Sequence, residues 1–382
     1  MRILLLVLIQ FFFINTTKAQ NTDPYLSEIR IDSLVKTVRE LSGEDPVILN
    51  GVSSTLTNRN NAIGKKLATD YIKKRLERYN LTTTEQNYSS VGRNIIATQT
   101  GTKYPESIYI ICAHYDSVNS YCADDNASGV ATIIEAARIL SRECFDYTIV
   151  YALWDEEEIG HLGSKYYAQL AKNSNKNILG VINLEMLGYD SDNDKKFDIH
   201  TNNDSKSLSL KDNLLNIVKT NSLSLVPNVI NPGTTRSDHA SFWSQNYGAV
   251  VISEAFFSGD GNPYYHSESD KISSFNIPYY QELSKLSVGI LATLANPCAA
   301  LSIEEQDIYN SISIYPNPTT SQLSIVTELE ISEIVIVDIE GKTILRTNHN
   351  TNSINTATLS NGIYFIKMVS GKNTITKKFV KQ

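Results

Sequence analysis

The fold is decided by the stretch Ile108-Tyr-Ile-Ile-Cys-Ala-His-Tyr-Asp116, in which an apolar run ends at an imidazole and a carboxylate. Short uninterrupted apolar runs are typical of strands that are buried on both faces of a sheet. Comparable runs recur at Tyr147–Trp154, Ile178–Leu184 and Gly248–Ser253. Acidic residues directly follow the runs that end at Trp154 and Leu184. Because the carboxyl ends of parallel strands meet at one edge of a sheet, we expect these side chains to converge there.

Helical patterns alternate with the apolar runs. Apolar residues recur at helical spacing over Ile63–Tyr79, and further helical patterns cover Gly129–Leu140 and Ser164–Lys172. Helices that alternate with apolar strands favour an α/β fold with a mixed, mostly parallel sheet sandwiched by helices. We therefore predict one α/β domain over residues 20–298, which also includes a helix over Ile31–Leu41.

Residues 1–19 have the pattern of a secretory signal peptide. Arg2 gives a positive start, Ile3–Ile14 is an apolar run broken by one glutamine, and Thr17-Lys-Ala19 offers small residues for cleavage. The run is too short to cross a bilayer comfortably, and no later stretch predicts a transmembrane helix. Export permits disulfides, but the four cysteines allow three full pairings and the sequence does not choose among them.

The composition changes after Cys298. Residues 299–310 are polar and are predicted to form a linker. Over residues 311–382, apolar and polar residues alternate between turn signals such as Glu340-Gly341, which predicts a small all-β domain of the β-sandwich type. The net charge of −7 argues against a nucleic-acid-binding surface.

The residues that follow the strands have the composition of a metal site. Imidazole nitrogens and carboxylate oxygens are good zinc ligands. One carboxylate that bridges two ions, with one histidine and one further carboxylate on each, leaves open positions for water and substrate. A neighbouring carboxylate would take a proton from the water and pass it to a leaving amine.

Five motifs resemble the signatures of the M28 family of zinc peptidases of the aminopeptidase type, and they occur in the family's order between Ala62 and Ala295. They are His114-Tyr-Asp116, Ala123-Asp-Asp-Asn-Ala-Ser-Gly129, Glu157-Glu-Ile-Gly160 with Gly163-Ser164, Leu184-Glu-Met186 and Ser237-Asp-His-Ala-Ser241. The resemblance implies the zinc exopeptidase fold. It also implies two Zn²⁺ bridged by Asp125, with these ligands: His114, Asp125, Glu158, Glu185 and His266.

The same resemblance implies roles for residues beside the ligands. Glu157 is expected to be the general base, and Asp116 is expected to orient His114. The glycines that follow the three consecutive glutamates fix the alignment, which leaves Glu156 without a role.

Two residues near the late motifs resemble substrate contacts in streptomycete-type members of the family. Tyr265 corresponds to a donor that stabilises the tetrahedral oxyanion, and Arg236 corresponds to a substrate-binding residue. The other histidines are expected to have structural or loop-packing roles: His161, His200, His239 and His349.

The stretch Asp190-Ser-Asp-Asn-Asp-Lys-Lys-Phe-Asp198 has acidic oxygens at alternate positions, which suit Ca²⁺. It lacks the glycine and the terminal glutamate of an EF-hand loop. The interpretation as a calcium site therefore stands beside a simpler one, in which the stretch is a solvated acidic loop.

The tail resembles the type A C-terminal sorting domain of the type IX secretion system. The matching residues are Tyr315-Pro-Asn-Pro-Thr319, Leu359-Ser-Asn-Gly-Ile-Tyr364 and Lys377-Lys-Phe-Val-Lys381. The resemblance implies the type IX machinery as a partner and a secreted or cell-surface location. A generic β-sandwich binding module is the alternative.

The resemblance implies an aminopeptidase that hydrolyses N-terminal residues from peptides. Carboxypeptidase or another peptidase specificity of the family is an alternative. Glutaminyl cyclase activity on the same fold and a non-catalytic binding module are two further alternatives. The presence of all five ligand residues argues against the last two.

Overall fold

The structure is a computed structural model that describes residues 23–298, 309, 311–347, 352–371 and 373–382. The predicted signal peptide, His349 and all but one residue of the predicted linker lie outside the described residues. The chain divides into two units, Met1–Cys298 and Ala299–Gln382.

The described part of the first unit contains eight α-helices and ten strands, together with an irregular helix over Ala123–Ser128 and a 3₁₀ turn over Ile272–Ser274. The helices are α1 (Asp23–Ser27), α2 (Ile31–Ser42), α3 (Ala62–Glu77), α4 (Gly129–Leu140), α5 (Leu162–Asn173), α6 (Ser205–Thr220), α7 (His239–Trp243) and α8 (Ile277–Ala295). The strands are β1 (Val47–Leu49), β2 (Val52–Ser54), β3 (Thr82–Asn87), β4 (Arg93–Gln99), β5 (Tyr104–His114), β6 (Tyr147–Trp154), β7 (Asn177–Glu185), β8 (Lys196–His200), β9 (Val226–Ile230) and β10 (Ala249–Glu254).

Eight of these strands form one mixed sheet in the order β3-β4-β6-β5-β7-β10-β8-β9, and β1 and β2 pair separately. The four central strands, β6, β5, β7 and β10, are parallel. Their carboxyl ends therefore meet at one edge of the sheet, and they are the four strands that the sequence predicts. The mixed, mostly parallel sheet is confirmed.

Both faces of the sheet are covered by helices. On β6, residues 149, 151 and 153 pack in one apolar cluster, and residues 150, 152 and 154 pack in another. The first cluster contains residues of α2, α3, α4, α6 and α8, whereas the second contains residues of α5 and α7. Both sides of the strand are buried, which explains its uninterrupted apolar composition.

The disulfide joins Cys144 to Cys298, with the two Cα atoms 5.3 Å apart. The backbone N–H of Cys298 also donates to the carbonyl of Cys144 at 2.9 Å. Cys112 and Cys122 are buried free thiols. The bridge fastens the end of the first unit to the segment before β6.

The second unit is all-β, as predicted. Its strands are β11 (Ser313–Tyr315), β12 (Gln322–Val326), β13 (Glu333–Val337), β14 (Thr343–Thr347), β15 (Ser353–Asn355), β16 (Gly362–Ser370) and β17 (Asn373–Lys381). They form one sheet of three strands and one of four, and apolar residues of both sheets share one core. In the part of the chain that the structure describes, no helix is both long and apolar enough to span a bilayer.

Candidate active site

The residues predicted to bind metal converge at the carboxyl edge of the parallel strands. His114 is the last residue of β5, and Glu185 is the last residue of β7. Glu158 lies in the loop after β6, Asp125 lies in the irregular helix before α4, and His266 lies in the loop after β10. Distant parts of the sequence meet here because the sheet is parallel.

The carboxylate of Asp125 lies between two imidazoles. Its Oδ1 is 3.2 Å from Nε2 of His114, and its Oδ2 is 3.3 Å from Nε2 of His266. Each Nε2 atom also lies near a second carboxylate: Oε1 of Glu185 is 3.3 Å from His114, and Oε2 of Glu158 is 3.3 Å from His266. The five residues therefore form two groups, each with one histidine and one further carboxylate, that share Asp125.

Asp116 lies beside the first histidine and holds the glutamate loop. Its Oδ1 is 3.4 Å from Nδ1 of His114. Its two oxygens also accept the backbone N–H groups of Glu157 at 3.1 Å and Glu158 at 3.2 Å. Asp116 is 3% exposed, so this buried carboxylate links β5 to the loop after β6.

Asp270 holds the Asp125 segment from the other side. Its carboxylate accepts the backbone N–H of Asp124 at 3.0 Å and that of Asp125 at 3.1 Å. Burial and the neighbouring charge of Asp124 raise the pKa of Asp270 to about 8. The sequence analysis missed this residue because it lies in none of the motifs.

Non-glycine residues adopt the left-handed backbone conformation in three of the loops that carry the site. They are Glu156 (φ 59°), Met186 (φ 49°) and His266 itself (φ 59°). This conformation costs non-glycine residues free energy, and it persists only where surrounding contacts impose it. Such contacts are present at Glu156.

Glu156 is part of a buried ion cluster, although the alignment alone gives it no role. Nζ of Lys65 is 3.0 Å from Oε1 of Glu156 and 3.0 Å from Oδ1 of Asp155. The hydroxyl of Tyr88 donates to the second oxygen of Glu156 at 3.1 Å. These contacts anchor the backbone immediately before Glu157.

Burial and the concentrated negative charge shift the pKa values of the carboxyls. Burial, opposed by the positive charge of His114, raises the pKa of Glu157 to about 8. Burial and the charge of Asp125 raise the pKa of Glu158 to about 10. Burial acts to raise the pKa of Asp125 as well, but the hydrogen bonds of His114 and His266 hold it below its usual value.

A cavity lies beside these residues. Its volume is about 480 Å³, which includes the part that is open to solvent. Tyr265 and Arg236 both line it, as do four of the acidic residues. The ring of Tyr265 stacks on His266 at 3.7 Å, and the guanidinium of Arg236 lies 5.8 Å from the ring centre of Phe257. Apolar side chains form part of its wall: Met186, Val251, Phe256 and Phe257.

Ser237 is a further residue of the site that the sequence analysis left without a role. Its hydroxyl donates to Oε2 of Glu185 at 2.5 Å and accepts from Nδ2 of Asn183 at 2.7 Å. The available signal was its place at the start of the motif Ser237-Asp-His-Ala-Ser241. Ser237 fixes the orientation of the Glu185 carboxylate.

The remaining histidines differ in their surroundings. The imidazole of His239 is buried and donates to the carbonyl of Thr234 at 2.7 Å, in agreement with a loop-packing role. His200 lines the cavity. His161 lies 3.1 Å from the carboxylate of Glu157, so it contacts the predicted general base in addition to any structural role.

The acidic stretch 190–198 contributes only part of its carboxylates to one place. Asp190, Asp192 and Asp194 offer oxygens within 4.8 Å of one another. Asp198 lies on β8, where its Oδ1 accepts from Asn228 at 2.8 Å. Calcium at the remaining three residues stays a prediction.

Comparison with known proteins agrees with this architecture. Residues 94–290, just over half of the chain, match the peptidase family M28, and residues 313–382 match the secretion system C-terminal sorting domain. Leucine aminopeptidase 1 of Trichophyton equinum is 31% identical over 237 residues, which are 57% of this chain and 62% of that protein. Leupeptin-inactivating enzyme 1 of Streptomyces exfoliatus is 36% identical over 132 residues, or 33% of this chain and 30% of that protein. The chain thus spans less than two thirds of the length of these relatives.

Solved structures share the fold of the first unit. The LapA aminopeptidase of Legionella pneumophila has a TM-score of 0.62 at 23% identity, over 72% of this chain and 74% of that one. The glutaminyl cyclase of Fimbriiglobus ruber has a TM-score of 0.56 at 16% identity, over 70% of this chain and 96% of that one. The matched family model spans the parallel centre of the sheet and all five clustered residues, and the chain therefore belongs to peptidase family M28.

Proposed function

We propose that this protein is an aminopeptidase that binds two Zn²⁺ per chain and removes N-terminal residues from peptides. The arrangement around Asp125 carries the proposal. One carboxylate lies between two histidines, and each histidine has its own second carboxylate, Glu185 or Glu158. These five residues would hold two zinc ions, one in each group, because imidazole nitrogens and carboxylate oxygens are good zinc ligands.

The spacing of the ligand atoms supports zinc. Two ligand atoms that each lie about 2.1 Å from one ion at tetrahedral angles are about 3.4 Å apart. The four contacts between imidazole nitrogens and carboxylate oxygens are 3.2–3.3 Å long. In addition, Oε1 of Glu158 is buried and has no hydrogen-bond partner among the described residues. A cation would satisfy this oxygen and reduce the repulsion among the carboxylates.

Bound zinc would supply a Lewis acid for the scissile carbonyl and for the attacking water. Glu157 takes a proton from that water and passes it to the leaving amine. Its position suits this role, because Glu157 is adjacent in sequence to the ligand Glu158 and lines the cavity beside the ligands. Asp116 keeps the loop of Glu157 in place through its two backbone hydrogen bonds.

The cavity beside the ligands is the proposed site for the first residue of the substrate. Tyr265 donates a hydrogen bond from its hydroxyl to the developing oxyanion, and burial raises the pKa of this phenol, which keeps the proton on the tyrosine. Arg236 is exposed at the same cavity and is the proposed substrate contact. The apolar wall suits an apolar first side chain, and relatives named leucine aminopeptidases support this preference.

We also propose that the protein is secreted or displayed on the cell surface. The match of residues 313–382 to the sorting domain supports export by the type IX system. A signal peptide over residues 1–19 would carry the chain across the first membrane.

Hydrolysis of a panel of aminoacyl-p-nitroanilides by the purified protein tests the proposal. We expect cleavage of substrates with a free amine, no cleavage of their N-acetylated controls, loss of activity on chelation and recovery with Zn²⁺. Cleavage at the carboxyl terminus of peptides would indicate a carboxypeptidase. Cyclisation of N-terminal glutamine without peptide hydrolysis would indicate the glutaminyl cyclase activity found on the same fold.

A further inference from the structure

We propose that His161 is a positioning residue for Glu157, which it holds by one carboxylate oxygen so that the other oxygen faces the reacting water. The inference rests on the proposed role of Glu157 as general base. Nε2 of His161 is 3.1 Å from Oε1 of Glu157, and the two side chains are 18% and 9% exposed. A carboxylate held by one oxygen keeps a free lone pair on the other for proton transfer.

The imidazole is held in place by the start of α5. His161 has φ 58°, and this left-handed conformation lies between the glutamate loop and the helix. Its backbone N–H donates to the carbonyl of Glu157 at 2.8 Å, and its own carbonyl accepts the N–H of Lys165 at 2.9 Å. The hydroxyl of Ser164 donates to the same carbonyl at 3.2 Å. Because its backbone is fixed on both sides, the Cα of His161 is held at a position from which the imidazole reaches Glu157.

A neutral imidazole suits this task better than a cation. Burial lowers the pKa of His161, which favours the neutral ring at pH 7, and a neutral ring has one N–H that it can direct to the carboxylate 3.1 Å away. A permanent positive charge in this place would weaken the base, since an adjacent cation lowers the pKa of a carboxyl. His161 therefore fixes the orientation of Glu157 while leaving its basicity largely intact.

The two ends of Glu157 are then held by different residues. Asp116 accepts the backbone N–H at 3.1 Å, whereas His161 contacts the end of the side chain. Replacing His161 would leave the backbone in place and free only the carboxylate to rotate. A misplacement of about 1 Å at a reacting group costs on the order of a hundredfold in rate.

The test compares His161→Leu with His161→Gln in the zinc-loaded full chain. The glutamine amide reaches as far as Nε2 of the imidazole and restores one N–H donor. We expect His161→Leu to lower kcat about 10- to 100-fold with KM changed less than about twofold, and His161→Gln to recover most of this loss. Zinc content should stay at two ions per chain in both. Leu162→Ala, on the adjacent exposed residue, is the control for disturbance of the helix start and should behave as wild type.

A kcat within twofold of wild type in His161→Leu would overturn the inference. So would an equal loss in the leucine and glutamine variants, or a loss of zinc that parallels the loss of activity, since these results indicate a purely structural role. Wild-type turnover separately tests the proposed function. If wild type proves inactive, the dissociation constant of leucine hydroxamate is measured instead of kcat. The hydroxyl of this compound would share a proton with Glu157. At least tenfold weaker binding to His161→Leu, restored in His161→Gln, would support the inference, and equal binding would overturn it.

Discussion

Lys65→Met should destabilise the first unit strongly, because it removes the cation from a buried cluster of two carboxylates. Nζ of Lys65 lies 3.0 Å from both Asp155 and Glu156, whose side chains are 0% and 8% exposed. The lysine side chain itself is 8% exposed. Solvent has little access to screen these charges once the lysine is gone, and the backbone that they hold leads directly to Glu157.

Loss of one partner from a buried ion pair costs about 3–5 kcal/mol. Lys66→Met is a matched control on the next residue of α3. Lys66 pairs with Asp70 at 2.8 Å, but the two side chains are 62% and 44% exposed, and exposed pairs contribute about 0–1 kcal/mol. The neighbouring substitutions should therefore differ by at least about 2 kcal/mol in the free energy of unfolding.

The pH dependence of the loss follows from Asp155. Burial, partly offset by Lys65, already raises its pKa to about 6, and removing Lys65 raises it further. A carboxyl whose pKa is higher in the folded than in the unfolded state loses stability as pH rises through the folded value. The destabilisation by Lys65→Met should consequently be larger at pH 8 than at pH 5.

Urea unfolding followed by tryptophan fluorescence measures this effect. The only two tryptophans of the chain are Trp154 and Trp243, both in the first unit, so the signal reports the unfolding of that unit alone. If Lys65→Met unfolds within 1 kcal/mol of Lys66→Met at pH 8, the ion cluster does not stabilise the glutamate loop and the reasoning fails.

Four other predictions concern the general base, the metal ions and the disulfide. Glu157→Gln should retain both zinc ions by elemental analysis and lose at least about a hundredfold in kcat, and near-normal turnover would exclude Glu157 as the base. His266→Ala should lower the zinc content from two ions to one per chain after dialysis, since it removes the only histidine of one ligand group, and two tightly held ions would contradict this ligand set. Reduction of the Cys144–Cys298 bridge should destabilise the first unit by about 4 kcal/mol, measured by urea unfolding with and without reductant, and an unchanged midpoint would show that the bridge is dispensable. If the acidic loop binds Ca²⁺, millimolar Ca²⁺ should raise the melting temperature of wild type but not of Asp192→Asn, and an equal response in both would identify a solvated loop.

The four parallel strands were predictable because both their faces are buried, and burial on two faces demands an unbroken apolar run. Other strands of the same sheet escaped the sequence analysis. β3 reads Thr-Thr-Thr-Glu-Gln-Asn at an edge and has no buried residue. β8 lies partly inside the acidic stretch, where Asp198 is buried and bonded to neighbours rather than solvated. Local composition cannot reveal a strand whose polar side chains find their partners in distant segments.

The candidate ligands were predictable for a related reason. Four of the five stand at the end of an apolar run or inside one of the five motifs, whereas His266 is implied by the family resemblance alone. Parallel strands bring the ends of such runs to one edge. The residues that hold these ligands in place were not predictable. Lys65 lies in α3 and Asp270 in a late loop, and no spacing in the sequence links them to Glu156 or Asp125.

The sequence by itself determined the α/β class, the all-β tail, the family resemblance and the identities of the candidate ligands, because these depend on periodicity and on short motifs. Only the tertiary structure decided which cysteines pair, which oxygen of Asp125 meets which histidine, and that His161 and Glu156 contact the groups beside them. The physical reason is that contact geometry depends on backbone direction and burial. Residues 156, 161 and 266 adopt the left-handed conformation and turn the chain at positions where no local sequence pattern predicts a turn. Only the packed fold holds them in that conformation.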